Sequence, residues 1–189
     1  GEKIMSTELI SDLKKRMDGA VHAFHNDLKG LRTGRASTSL LEGVIVEAYG
    51  TKMAIDQLAT VSTPEARLLS VQVWDSSNVK AVEKAILNSG LGLNPSSDGQ
   101  LIRVPLPDLS EDRRKEMVKI AYQYAEKARV AVRNVRRDGM DHAKKAEKDG
   151  DLSKDEQHEL SEEIQVLTDG FIKNIDEAVA VKEKDIMSV

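Results

Sequence analysis

Three segments of this chain place apolar residues at steps of three and four over thirty or so positions, and few folds can use such a pattern. Across residues 7–31 the stripe is Leu13, Met17, Ala20, Phe24, Leu28 and Leu31. Across 110–146 it is Met117, Ala121, Tyr124, Ala128, Ala131 and Val135. Across 154–186 it is Leu160, Ile164, Leu167, Phe171, Ile175 and Val179. Such spacing keeps one helix face apolar and packs it lengthwise against other helices. At ~1.5 Å per residue the two longer helices reach ~50 Å, so the expected product is an elongated antiparallel three-helix bundle. The ends are marked as well. Pro105 and Pro107 precede the second segment, where Ser110 is a candidate N-cap with Glu111 and Asp112 in the first turn. Ser153 and Glu156 have capping-box spacing before the third, and Gly150 sits in the acidic turn that separates the two.

Residues 34–107 follow a different period. Val44 to Tyr49, Arg67 to Trp74 and Leu101 to Val104 read as strands, and Asn78 to Leu87 as a short amphipathic helix carrying Val79, Val82, Ala85 and Ile86 on one face. The expected class is therefore α+β. A bundle built from residues 1–33 and 108–189 is interrupted by a small inserted α/β domain at 34–107. An insertion needs two linkers side by side. The candidates for this two-strand hinge are Thr33, Gly34 and Arg35, preceded by Arg32, on the way out, and Val104, Pro105, Leu106 and Pro107 on the way back. Residues 1–4, ahead of Met5, are read as a tag remnant.

Composition removes whole classes of function. The chain has 189 residues and no cysteine, so disulfides, thiolate metal sites and cysteine nucleophiles are out. Six aromatics, Phe24, Phe171, Tyr49, Tyr122, Tyr124 and Trp74, are too few for a base-stacking platform. His22 and His25 lack the carboxylate that would complete a metal site, and a solvated or half-buried pair is expected. Gly90-Leu91-Gly92 is not a phosphate loop, and the turn at Asp149 lacks the glycine and glutamate of a calcium loop. Nucleophile, base and oxyanion donor do not assemble anywhere. The expectation is a non-enzyme with no cofactor and no metal. No apolar run approaches the ~18 residues of a membrane span.

Charge is more informative. Formal net charge is -4, yet residues 109–145 hold 11 basic and 6 acidic residues, and residues 146–189 hold 5 and 13. At ~100° per residue, Arg114, Arg129, Arg133, Arg136 and Arg137 share an arc of about 140°, with Lys115 and Lys119 on the same side. One reading is that these arginines simply pair with the acids of the third helix; two points oppose it. The cluster is arginine, which suits bidentate phosphate contact, and a rigid basic face poor in aromatics suits structured RNA.

Four stretches then resemble a known family, the bacterial ribosome recycling factors. They are Leu31-Arg32-Thr33-Gly34-Arg35-Ala36, Asn88-Ser89-Gly90-Leu91-Gly92-Leu93-Asn94-Pro95, Ile102-Arg103-Val104-Pro105-Leu106-Pro107, and Arg129-Val130-Ala131-Val132-Arg133-Asn134-Val135-Arg136-Arg137-Asp138. They occur in family order and spacing. The resemblance implies an L-shaped molecule that splits the post-termination ribosome with elongation factor G and GTP. It implies a cytoplasmic factor, expected to be a monomer, with no membrane partner. Its ribosome-binding arginines would be Arg114, Arg133 and Arg136, facing large-subunit rRNA, with Arg129 and Arg137 beside them. Its hinge would be Thr33-Gly34-Arg35 with Val104-Pro105-Leu106-Pro107. Two positions depart from expectation: Thr38, where many members carry proline, and Gly139 inside the second helix, a candidate bend. The alternative is a helical-bundle adaptor that binds other proteins through its acidic third helix.

Overall fold

The computed structural model describes residues 2–31 and 33–188, with side chains from Met5 onward. The side chains of the expected tag remnant, and the linker residue Arg32, lie outside the described residues. The chain divides into two compact units. The first ends at Leu31 and resumes at Asp112, and the second occupies the interval to Glu111.

The first unit is a bundle of α1 (Glu2–Gly30), α3 (Glu111–Lys148) and α4 (Lys154–Met187). Cross-helix pairs fix the directions. Arg16 of α1 meets Asp138 of α3 at 2.7 Å, and His25 meets Asn174 of α4 at 3.3 Å. Arg129 meets Asp176 and Arg136 meets Gln165, so α3 runs antiparallel to both neighbours. The α3–α4 turn carries its expected signals. Gly150 has φ +80°, and the Asp151 amide donates to the Ala146 carbonyl, closing the end of α3. The Glu156 amide donates to Ser153 Oγ while the Ser153 amide donates to Glu156 Oε1, a complete capping box.

Volume in this core is unevenly shared. From α1 come Leu13, Met17, Val21, Phe24 and Leu28; from α4 come Leu160, Ile164, Thr168, Ile175, Val179 and Ile186. Thr168 stays satisfied by donating its hydroxyl to the Ile164 carbonyl at 2.7 Å. The buried face of α3 is small by contrast: Met117, Ala121, Ala125, Ala128, Val132, Val135, Gly139, Ala143 and Ala146. The α3 helix continues unbroken through Gly139. A Cβ placed there would lie 2.4 Å from Leu13 Cδ1 and 3.3 Å from Ile164 Cδ1. The glycine lets α1 and α4 side chains close onto the α3 backbone.

The second unit holds a hairpin, β1 (Ile45–Ala48) with β2 (Thr51–Ala54), and a four-stranded antiparallel sheet. That sheet has the order β3-β4-β6-β5, from β3 (Ala59–Glu65), β4 (Leu68–Val73), β5 (Ser96–Asp98) and β6 (Leu101–Pro105). Its helix α2 (Val79–Leu87) buries Val79, Val82 and Ile86 in a core with Leu41, Val46, Ile55, Leu69, Val71, Val73, Ile102 and Val104. Strands β2, β3 and β5 were not legible from alternation. Pro64 is accommodated because β3 is an edge strand. The hairpin turn holds Tyr49 at φ +52° and Gly50 at +73°, the two left-handed positions of a tight turn. The Tyr49 hydroxyl is fastened to Asp75 Oδ2 at 2.6 Å.

Candidate nucleic-acid interface

Helix α3 carries all five candidate arginines, but its buried arc is not where the sequence placed it. Ala125 and Val132 are fully buried, whereas Tyr124 and Ala131 are half-buried. At ~100° per residue this moves the centre of the core about 35° toward the arginines. The reason is that alanine marks a helix face weakly, while the aromatic Tyr124 draws a sequence-based stripe toward itself.

The rotation divides the arginines into two sets. Arg114, Arg129 and Arg136 flank the core and engage α4. Arg129 Nε donates to Asp176 Oδ1 at 2.8 Å and its Nη1 to Glu126 Oε2 at 3.0 Å, with 17% of the side chain exposed. Burial by itself disfavours this cation. The hydrogen bonds and charges of Asp176 and Glu126 outweigh it, so the Arg129 pKa is raised. Arg136 Nε donates to Gln165 Oε1 at 2.8 Å. Arg114 Nη1 donates to the Met187 carbonyl at 3.3 Å, at the end of α4, while its buried Nε has no partner among the described residues. Pairing with the acids of the third helix therefore accounts for Arg129.

Arg133 and Arg137 make the second set. Arg133 is 53% exposed, its nearest carboxylate Glu126 at 3.8 Å. Arg137 is exposed and has no ion pair among the described residues. Lys119 is exposed on the same outward arc. Tightly held guanidinium groups thus stand beside exposed ones, of which Arg133 has a long ion pair to Glu126, and an exposed guanidinium can offer its donors to phosphate oxygens.

The linker candidates also separate. Thr33 Oγ1 accepts from the Arg35 amide at 3.4 Å, and Gly34 adopts φ +76°. Val104 and Pro105, expected in the returning linker, lie inside β6 opposite Leu69 and Leu68 of β4, and Val104 is buried. They belong to the sheet because Val104 completes its inner face. Leu106 follows the strand, with its amide donating to the Arg67 carbonyl at 2.8 Å. Pro107 is exposed beyond it. Sequence reasoning did not find Arg67, which ion-pairs with Asp108. Nothing local marks it, since the partners are 41 positions apart in the chain.

Among the described residues no three His, Asp or Glu side chains are placed to hold a metal, and no helix is long and apolar enough to cross a membrane. His25 is half-buried against Phe24 and His22 is exposed. A groove of about 430 Å³ between α1 and α4 is lined by His25, Leu28, Asn174, Lys182 and Asp185. Burial pushes the Lys182 pKa down, with Asp185 opposing.

A charged helical bundle interrupted by a small sheet domain, with an arginine face on α3, has the make-up of a helical binding factor. The ribosome recycling factor family model matches residues 24–187. A ribosome-recycling factor of Bartonella quintana is 62% identical over 181 residues, covering 96% of this chain and 97% of the relative. That of Brucella ovis is 62% identical over 180 residues, covering 95% and 97%. The chain belongs to the ribosome recycling factor family, whose members are non-enzymatic translation factors. Among solved structures, the solution structure of a ribosome recycling factor matches with TM-score 0.67 and 44% identity, covering 97% of this chain and 98% of the other. A second match is a Thermus thermophilus recycling factor described with Escherichia coli elongation factor G on the post-termination complex. Its TM-score is 0.61 at 43% identity, with coverage of 96% and 98%.

Proposed function

We propose that this protein disassembles the post-termination ribosome together with elongation factor G and GTP, binding large-subunit rRNA through the outer arginine face of α3. The observation that carries this is the exposure of Arg133 and Arg137 on a helix whose other arginines are already held. RNA backbone recognition needs cations on a rigid support, and it needs no side-chain chemistry. GTP belongs to the partner, whose hydrolysis moves the inserted unit while the bundle stays anchored. A related factor described with elongation factor G on the post-termination complex supports this assignment. The factor works in the cytoplasm as a monomer. The adaptor alternative is weaker, since Asp176 and Glu183 of the acidic helix are engaged by Arg129 and Tyr122 inside the bundle.

The deciding experiment is polysome breakdown in the presence of elongation factor G and GTP. Monosomes and subunits should accumulate only when the protein is added, and the effect should fade in Arg133→Ala/Arg137→Ala. Breakdown that is independent of the protein would refute the assignment.

A further inference from the structure

Both segments that connect the two units are tied to a single turn, the one joining β3 to β4 at Ala66 and Arg67. The Ala66 carbonyl accepts the Ala36 amide at 2.6 Å, which fixes the outgoing segment. The Arg67 carbonyl accepts the Leu106 amide at 2.8 Å, which fixes the returning one. The Arg67 side chain, 26% exposed, then ion-pairs with Asp108, two residues further along. Finally the two segments touch each other. Gly34 has φ +76°, and a Cβ built on it would lie 2.9 Å from Leu109 Cδ1. All of these contacts lie within the inserted unit. Residues 34–36 and 106–109 are therefore part of it and not free tether.

We propose that Arg67 is a positioning residue. Through its carbonyl and its guanidinium it clasps the returning segment to the inserted unit while the adjacent Ala66 carbonyl holds the outgoing one, so that this turn confines rotation between the units to the backbone beyond 33–36 and 106–109. This rests on the assignment above, in which displacement of the inserted unit is the working step. The physical consequence is the removal of slack. An extended chain spans ~3.3–3.6 Å per residue, so releasing three or four residues on each side would free roughly 10 Å of tether. A push of that size would be absorbed by straightening chain. With the clasp closed, the same push must turn the unit about its short pivots and load the bundle.

Arg67→Ala and the charge exchange Arg67→Asp/Asp108→Arg, each in the full chain, test this. Native-state amide exchange is read first. In Arg67→Ala the Ala36 and Leu106 amides should exchange about fivefold faster, the scale of a partly exposed ion pair, while sheet amides stay protected. Ribosome splitting with elongation factor G and GTP should fall several-fold at unchanged ribosome affinity. The charge exchange should restore both. Unchanged exchange at Ala36 and Leu106 would overturn the clasp, and so would loss of protection spread across the sheet, which marks a merely structural residue. Faster exchange with full splitting would overturn its positioning role. Failure of the unaltered protein to split ribosomes would instead strike the assigned function, leaving the exchange result to stand separately.

Discussion

Replacing Gly139 by alanine sets two known effects against each other, and the structure decides which prevails. Helix propensity favours alanine over glycine by up to ~1 kcal/mol in a helix interior. Against this, the new methyl would lie 2.4 Å from Leu13 Cδ1, where carbon atoms prefer ~3.5–4.0 Å. Leu13 is 1% exposed, so it has little room to turn away. Overpacking of this kind typically costs ~1–3 kcal/mol, so Gly139→Ala should destabilise the bundle by about 1 kcal/mol net. The background Leu13→Ala removes the obstructing atoms. It should cost ~2–5 kcal/mol alone, and within it Gly139→Ala should become stabilising by ~1 kcal/mol. The change of sign is the diagnostic, a coupling of ~2 kcal/mol between touching residues. Urea unfolding followed by far-UV circular dichroism measures it, because helices of 29, 38 and 34 residues dominate the signal over the 9-residue α2. Stabilisation by Gly139→Ala in both backgrounds would refute the close-packing explanation.

Arg133→Ala and Arg137→Ala should each weaken ribosome binding while leaving melting within ~0.5 kcal/mol of the parent, as calorimetry and co-sedimentation would show. Arg129→Ala should behave oppositely, destabilising by ~1–3 kcal/mol as Asp176 and Glu126 lose a charged donor. Removing an arginine that neutralises one phosphate should flatten the salt dependence of binding by about 0.7–0.9 in slope, read from titrations at several salt concentrations. Asp75 accepts from the Tyr49 hydroxyl and from the Ser77 amide and hydroxyl, which hold its pKa below the ordinary aspartate range. Its contribution is therefore present above the unfolded pKa of ~3.9 and is lost as pH falls through the folded value. Asp75→Asn should remove that acid-side loss in a pH series of melts of the inserted unit.

The helices were legible in the sequence because large apolar residues at heptad spacing have one interpretation, and the Ser153–Glu156 box marked the start of α4. Small residues spoil that clarity. Val21 is buried and Ala20 only half-buried in α1, and in α3 the alanines left the phase of the stripe to Tyr124. The arginine face was visible as a cluster, but its division was not, since a shift of about 35° decides which guanidinium meets Asp176. Strands β3 and β5 escaped notice because edge strands with exposed Ser, Thr and Pro carry no alternation. The Ala66–Arg67 turn could not be read at all. Its role comes from main-chain carbonyls and from strand pairing that no local pattern records.

The small inner face of α3 also determines how the bundle responds to force. Alanine and glycine have no side-chain torsions to give up on folding and none to change afterwards. A helix packed through long side chains can yield by hopping between rotamers, each hop a small increment of compliance. Along α3 between Ala121 and Ala146 the backbone meets its neighbours mostly through methyl groups and the two short valines Val132 and Val135, so little of that give exists. A displacement applied at one end of α3 therefore meets little side-chain rearrangement on the α3 side of the interface, and what give there is comes from the longer side chains of α1 and α4 that face it.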